Sequence, residues 1–348
     1  MKIIHLMSTN DYSGAENVAL NIVKKLSPYM DIYYATREGR ILEFTKKNNI
    51  EKVIILDKLS IKEIKRIEKE YNPDIIHAHD YKASVLAALA CRKSKVIAHL
   101  HNNSPWIKKF YHPYTWILLF ISLKLSKILT VSNSIEKEYV FSKFIRKKIL
   151  TISNPISVQE VLRNVEDKDH QKHFDLCFTG RLTEQKNPLL FIKLVYLLKK
   201  EKPDIKAIMI GDGELRNKCE EFIEEKNLTR NVKIYGFMKN PYILMNQSKI
   251  FCLPSKWEGF GLAAFEALTL GMPAVVSDVG GLPNIVDNNC GKLCNTEKEF
   301  FCEIKKLLLD EKEYIMKSNN AIEKSKKIDN INEYICNIKK IYEELIKN

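Results

Sequence analysis

The sequence predicts an α/β protein built from two doubly wound domains in tandem, and three observations carry that prediction. Short apolar runs of strand length alternate with amphipathic helical patterns along most of the chain. The alternation stops across a charged, aperiodic stretch at 157–173 and then starts again. The 348 residues exceed what one core usually organises, and a composition of 45% hydrophobic and 28% charged residues is that of ordinary folded protein.

The elements follow in order. The apolar run 2–6 precedes a helix over 14–26, where Ala15, Val18, Ala19, Ile22, Val23 and Leu26 recur at helical spacing. Strands at 31–35 and 53–56 flank a helix at 41–48. A helix at 61–71 leads to a strand at 74–79, and a helix at 81–90 to a strand at 95–101. A basic helical region then leads to strands at 128–131 and 149–152. After the linker come strands at 174–179, 206–210, 232–235, 250–254 and 274–277. Helices at 188–200, 214–227, 240–246 and 261–270 separate them, and a helical tail covers 300–347. Short strand-to-helix connections imply parallel sheets covered on both faces. The expected organisation is a first Rossmann-like domain at 1–156, a linker at 157–173 and a second Rossmann-like domain at 174–325. A last helix at 326–348 is expected to pack back on the first domain. Two such domains facing across a cleft would bind ligands at the carboxyl ends of their strands.

Charge is unevenly placed. Of the net +13, residues 1–155 hold 26 Lys and Arg against 14 Asp and Glu, whereas residues 156–348 hold 30 against 29. Between Arg92 and Lys148 there are twelve basic and two acidic side chains. Such a field suits a polyanion, an anionic membrane surface or a phosphorylated acceptor, and equally a solvated Lys-rich face. No helix-turn-helix, zinc or RNA-recognition signature accompanies it, so nucleic acid is not expected as a partner.

The eight cysteines show no CxxC pair, and Cys177 and Cys252 sit inside apolar strands as small hydrophobes do. The opening Met1-Lys-Ile-Ile-His-Leu reads as a strand rather than a signal peptide, so a reducing cytoplasm is the expected compartment. The most apolar stretch, 116–121, is far short of the roughly 20 residues a membrane span needs. It adjoins Trp106-Ile-Lys-Lys-Phe-Tyr-His-Pro-Tyr-Thr-Trp116, where aromatics stand beside two lysines. That pattern fits a peripheral contact with the inner face of the plasma membrane, and it fits a helix packed on the sheet equally well.

Three clusters fall at strand ends in the second half. In Gly180-Arg-Leu-Thr-Glu-Gln-Lys-Asn-Pro188, the Arg181 fork and the mobile charge of Lys186 suit a diphosphate. Gly211-Asp-Gly-Glu-Leu215 reads first as a tight strand-to-helix turn. The third, Pro254-Ser-Lys-Trp-Glu-Gly-Phe-Gly-Leu-Ala-Ala-Phe-Glu266, passes through a Gly-rich loop into a helix. Its amides at Phe260, Gly261 and Leu262 would face a phosphate. Glu258 and Glu266 are eight positions apart, in the loop and the helix, and can accept hydrogen bonds from different hydroxyls of one ligand.

Together these clusters resemble the retaining GT-B glycosyltransferases of family 4 (glycosyl transferases group 1), whose E-x7-E motif Glu258 and Glu266 match. Asp74-Ile-Ile-His-Ala-His79, Val131-Ser-Asn-Ser134, Asn154-Pro155 and Gly271-Met-Pro-Ala-Val-Val-Ser-Asp-Val-Gly-Gly281 extend the resemblance over the whole chain. It implies a hexosyltransferase of capsule, exopolysaccharide or O-antigen synthesis. Arg181 and Lys186 would hold the donor diphosphate, Glu266 the ribose and Glu258 the transferred sugar. The nucleobase would lie at Gly236 and Phe237, and Gly14 would approach the donor phosphate. His101, ending its strand, is the candidate beside the donor sugar; His79 and Asn102 are weaker acceptor-side candidates. His77 and His99 share their neighbours' faces but sit deeper, as core. The donor is expected to be a UDP-sugar, with GDP-mannose next, and the acceptor a saccharide carried on undecaprenyl diphosphate. No cofactor and no metal are expected, because the only DxD, Asp167-Lys-Asp169, lies in the linker. Ser13 and Asn284 depart from the family pattern, which commonly has Gly and an acid there. A nucleotide-sugar epimerase of the same fold, a non-catalytic nucleotide-sugar sensor and a nucleic-acid-binding protein using the basic half are the competing readings.

Overall fold

The computed structural model describes residues 1–165 and 172–347. Asp167 and Asp169 of the expected linker lie outside the described residues. The chain divides into two compact units, Met1–Pro155 with Asn330–Asn348, and Ile156–Asp329.

The first unit holds a seven-stranded parallel sheet. Its strands are β1 (Lys2–Leu6), β2 (Asp31–Arg37), β3 (Val53–Leu56), β4 (Ile75–His79), β5 (Lys95–Leu100), β6 (Lys127–Thr130) and β7 (Ile149–Thr151). Their order, β3-β2-β1-β4-β5-β6-β7, reverses direction between β1 and β4. The second unit holds β8 (Phe174–Thr179), β9 (Ala207–Ile210), β10 (Val232–Gly236), β11 (Ser248–Leu253), β12 (Ala274–Ser277) and β13 (Gly291–Cys294). Here the order is β10-β9-β8-β11-β12-β13, with the reversal between β8 and β11. In each sheet the two crossovers at the reversal leave in opposite directions, which opens a crevice above those strands' carboxyl ends.

Core formation follows the periodicity. Helix Gly14–Leu26 buries Val18, Ile22 and Leu26, and the near-continuous apolar strands are buried on both faces, as parallel strands must be. Each such Ile or Leu stabilises the fold by about 1.5–3 kcal/mol relative to exposure. Helix Ile331–Lys347 belongs to the first unit, where Tyr334, Ile338, Ile341 and Tyr342 are buried.

The structure departs from the sequence reading in three places. The charged stretch after Pro155 is not featureless: Ser157 caps a helix at Val158–Arg163, its Oγ accepting from the Glu160 amide at 3.4 Å. At six residues that helix is too short for periodicity to register. The tail is three helices, Glu297–Leu309, Glu311–Ile328 and Ile331–Lys347, divided where Asp310 turns to cap the second. Strand β13 was not expected, since Gly291-Lys-Leu-Cys294 is short, begins with Gly and alternates weakly.

Helix Pro113–Ser122 has one packed face and one exposed face. Thr115, Leu118 and Ile121 are buried, while Tyr114, Trp116, Ile117 and Phe120 are exposed. Phe110, Tyr111, Leu123 and Phe144 add to the exposed apolar surface. No helix among the described residues is long and apolar enough to cross a membrane.

Candidate active site

The loops that follow β8 and β11, on either side of the reversal point, carry the candidate residues Arg181, Lys186 and Glu258. After β8, Arg181 is exposed and Lys186 folds back along Gly180. Asn187 adopts a left-handed conformation, φ 53°, and turns the chain into helix Pro188–Leu198. Asn tolerates that region better than most residues. After β11, Ser255 and Glu258 precede helix Leu262–Thr269.

Hydrogen bonds join the two loops. The Lys256 amide donates to the Gln185 carbonyl at 2.8 Å, and Gln185 Nε2 donates to the Trp257 carbonyl at 3.1 Å. Across this seam Lys186 Nζ is ion-paired with Glu258 Oε1, which also accepts from Ser255 Oγ at 2.8 Å. Glu258 is only 4% exposed, so the cation and the hydroxyl compensate its desolvation. The predicted diphosphate ligand and the predicted sugar ligand are therefore one buried pair.

Glu266 lies one helix turn and more beyond, half-buried, and accepts from the Tyr242 hydroxyl at 3.1 Å. Burial pushes its carboxyl up to about 7, against the Tyr242 hydrogen bond and the field of Lys186, which both lower it. Phe260 and Gly261 are buried, Leu262 is half-buried, and the first amides of this helix have no intrahelical acceptor.

The backbone beneath is tight. Gly280 has φ +59°, and a Cβ there would stand 1.8 Å from the Glu258 carbonyl oxygen. At the neighbouring strand end, a Cβ on Gly211 would stand 2.0 Å from the Gly180 carbonyl oxygen. The Gly211 amide donates to the Gly236 carbonyl at 2.8 Å. The Gly211-Asp-Gly motif is thus part of the scaffold that brings Gly180 and Gly236 together. Gly236 ends β10 and Phe237, half-buried, follows it.

In the first unit, Gly14 opens its helix and is exposed. The departure at Ser13 has a structural use: Ser13 Oγ donates to Glu16 Oε2 at 2.5 Å, and Thr9 Oγ1 donates to Glu16 Oε1 at 2.7 Å. Glu16, 1% exposed, thereby ties down the loop after β1. His101 and Asn102, just past β5, are half-buried.

His79 is corrected. It is fully buried, with Nε2 bonded to His5 Nδ1 and Nδ1 bonded to His101 Nε2, both at 2.9 Å. Neither nitrogen is left for an acceptor. Position at a strand end suggested exposure, but Asp80, at φ +67°, starts the next helix at once and closes over it. Among the described residues, two groups of three histidines, His5/His77/His79 and His79/His99/His101, hold ring nitrogens within 4.8 Å of one another. Distance alone would admit a metal ion, but most of these nitrogens already bond one another. Sequence reading also missed Ser255, Gln185 and Tyr242. Ser255 carried a signal, three residues before Glu258; Tyr242, 24 residues from Glu266, carried none.

Comparison with known proteins agrees with this architecture. The family model for glycosyl transferases group 1 matches residues 159–328, and that for glycosyltransferase family 4 matches residues 12–160. The UDP-Gal:alpha-D-GlcNAc-diphosphoundecaprenol alpha-1,3-galactosyltransferase of Escherichia coli is 26% identical over 321 residues, covering 83% of this chain and 81% of that one. An uncharacterized glycosyltransferase of Methanocaldococcus jannaschii, MJ1059, is 28% identical over 235 residues, 62% of this chain and 58% of its own. Anabaena Alr3699/HepE, solved in complex with UDP and glucose, superposes with a TM-score of 0.84 at 19% identity, over 99% of both chains. The two family models between them account for residues 12–328, and the chain belongs to the GT-B glycosyltransferases of family 4, group 1.

Proposed function

We propose that this glycosyltransferase moves a hexose or N-acetylhexosamine, with retention, from a UDP-sugar to a saccharide on undecaprenyl diphosphate. The observation that carries the reading is the Lys186–Glu258 pair at the β8/β11 reversal, with Glu266 behind it in the helix that the same loop opens. A donor diphosphate would draw Lys186 toward its oxygens, joined by Arg181 and the amides of Phe260, Gly261 and Leu262. That shift releases Glu258 to accept from the transferred sugar's hydroxyls. Glu266 would accept from the ribose, and the base would lie at Gly236 and Phe237. Gly14 and His101 keep the donor-side roles that the resemblance gives them.

The chemistry is charge stabilisation. Breaking the anomeric bond places negative charge on the leaving diphosphate and positive character on the sugar ring, as in other oxocarbenium-like reactions. Fixed cations and amides in a water-poor site stabilise the departing anion, and each such group typically accounts for a factor of roughly 100–1,000. The acceptor hydroxyl attacks from the face the diphosphate leaves, which keeps the anomeric configuration. The reaction as proposed uses no metal ion, the cations doing its work.

The choice of UDP and of a lipid-linked acceptor is supported by the E. coli relative, whose name specifies both, and by the UDP complex of HepE. The exposed Phe110, Tyr111, Trp116, Phe120, Leu123 and Phe144, interleaved with Lys108, Lys109, Lys124, Lys143 and Arg146, support contact with an anionic membrane. Such a surface would place the enzyme peripherally on the cytoplasmic leaflet, where a lipid-linked acceptor resides.

The test is to incubate the protein with UDP-glucose, UDP-galactose and their N-acetyl forms, with and without undecaprenyl-diphosphate-linked sugars, in the presence of EDTA. A new disaccharide with an α-linkage from an α-linked donor supports the reading. Isomerised donor without acceptor would instead identify an epimerase, and binding without turnover a sensor.

A further inference from the structure

Five of the eight histidines lie on one face of the first unit's sheet, on three adjacent strands. His5 is on β1, His77 and His79 are on β4, and His99 is on β5 with His101 just beyond it. Register places His5 beside His77 and His79 beside His99. The two-residue period of a strand turns all five the same way. The helix Ile331–Lys347 covers this face and inserts Tyr342 among them.

The contacts run in one line without a branch. His101 Nε2 meets His79 Nδ1 at 2.9 Å, and His79 Nε2 meets His5 Nδ1 at 2.9 Å. His5 Nε2 meets the Tyr342 hydroxyl at 3.2 Å, which meets His77 Nδ1 at 2.6 Å. His77 Nε2 meets His99 Nδ1 at 3.1 Å. The two ends, His101 Nδ1 and His99 Nε2, are buried with no hydrogen-bond partner. Burial disfavours charge on every ring: His5 and His101 are pushed down to about 3, and His77, His79 and His99 well below their usual range.

Proton counting then leaves little freedom. Five neutral imidazoles and a phenol hold six mobile protons, and the five links use one each. The sixth must sit at an end. If it is on His101 Nδ1, all five rings carry their proton on Nδ1. If it is on His99 Nε2, all five carry it on Nε2. Any other distribution leaves a buried link with two protons or none, at a cost of roughly 1–3 kcal/mol for each unsatisfied group.

We infer that His101, His79, His5, Tyr342, His77 and His99 form a single hydrogen-bonded chain with two proton arrangements, in which Tyr342 is a positioning residue that couples the buried histidines to His101. The two arrangements differ in which end of the chain, His101 Nδ1 or His99 Nε2, carries the sixth proton. The chain does not rest on the role proposed for His101.

The test is long-range ¹H–¹⁵N correlation on full-length protein labelled at histidine, at neutral pH, without donor. The expected result is one pattern shared by all five rings: Nδ1–H throughout, Nε2–H throughout, or the two in the same proportion at every ring. In Tyr342→Phe, His77 Nδ1 and His5 Nε2 lose the hydroxyl they share. The expected loss is of that agreement, with His77 and His99 in one proportion and His101, His79 and His5 in another. Tyr334→Phe is the control, since Tyr334 lies on the same helix, buried, with a hydroxyl that makes no hydrogen bond. Wild-type rings that disagree with one another in tautomer, a charged imidazolium, a zinc ion whose removal moves the nitrogen shifts, or agreement among all five rings retained in Tyr342→Phe would each overturn the inference. None of these readouts depends on transfer activity, so a failure of the proposed reaction would be seen separately.

Discussion

Lys186 and Glu258, 72 residues apart, are ion-paired across the seam between the β8 and β11 loops, and the pair occupies the position where the sheet order reverses. Two side chains that the sequence assigns to different parts of a donor are thus joined in one ion pair. In the proposed reaction each would change partner when a diphosphate arrives.

Removing either partner should therefore cost more than its own contact. Glu258→Gln and Lys186→Ala are each expected to lower kcat by roughly 100-fold or more, in line with loss of one charge-stabilising group. The double variant should lose less than the product of the two. Residues in direct contact typically show coupling of about 0.5–3 kcal/mol. Single-turnover kinetics on the four proteins measures it, and strict additivity would separate their roles.

Glu266 should make donor affinity depend on pH. Its carboxyl titrates at about 7, raised by burial, so it is neutral below that pH and anionic above it. A carboxylate accepts hydroxyl hydrogen bonds that a protonated acid accepts less well, so the Kd for a UDP-sugar should fall as pH rises through 7. Tyr242→Phe removes a hydrogen bond that lowers this pKa and should move the midpoint upward. Glu266→Gln should flatten the profile. Calorimetry between pH 6 and 8.5 gives all three curves.

The first unit should lose stability steeply in mild acid. A histidine held neutral by burial has a folded pKa below its unfolded value of about 6.5. Above that pH neither state is charged and the shift has no effect. Below it the unfolded chain takes up protons that the folded chain refuses, so stability falls with pH down toward the folded values, about 3 for His5 and His101. Each such ring contributes up to about 1.4 kcal/mol per pH unit. Urea unfolding at pH 7.5, 6 and 5 should show the decline, and His99→Gln should make it shallower.

Gly280→Ala should damage the site from behind. The added methyl would meet the Glu258 carbonyl oxygen at 1.8 Å, in a conformation that L residues rarely adopt. Overpacking of this kind costs typically about 1–3 kcal/mol, so a lower Tm together with a fall in kcat is expected. An unchanged Tm would mean that the loop yields freely.

The aromatic face should govern lipid contact. Phe120→Ser with Leu123→Ser is expected to reduce cosedimentation with phosphatidylglycerol vesicles, with transfer to a short soluble acceptor retained. Raising the salt should weaken the remaining binding, because surface charges are screened beyond a Debye length of about 8 Å at physiological ionic strength.

Much of this was legible in the chain, for physical reasons that differ from element to element. Strand-to-helix alternation is a strong periodic signal, and it located β8 and β11 and hence the loops carrying Lys186 and Glu258. The interval from Glu258 to Glu266 could be read because both lie in one continuous segment. Tyr242 could not, because its proximity to Glu266 depends on how helix Tyr242–Asn246 packs against helix Leu262–Thr269. His79 was misjudged for the same reason. Its burial is the work of His5, 74 residues earlier, and of the helix beginning at Asp80. The line of histidines was half visible: alternation put His77 with His79 and His99 with His101, but only the sheet order brings His5 beside them.

The return of helix Ile331–Lys347 to the first unit has a consequence for biosynthesis. Tyr334, Ile338, Ile341 and Tyr342 complete a core whose other members are translated among the first 155 residues. A growing polypeptide can close the second unit while still on the ribosome, but the earlier one stays open on one side until residues 331–347 emerge. A stop ahead of Ile331 would therefore injure the half of the molecule made first.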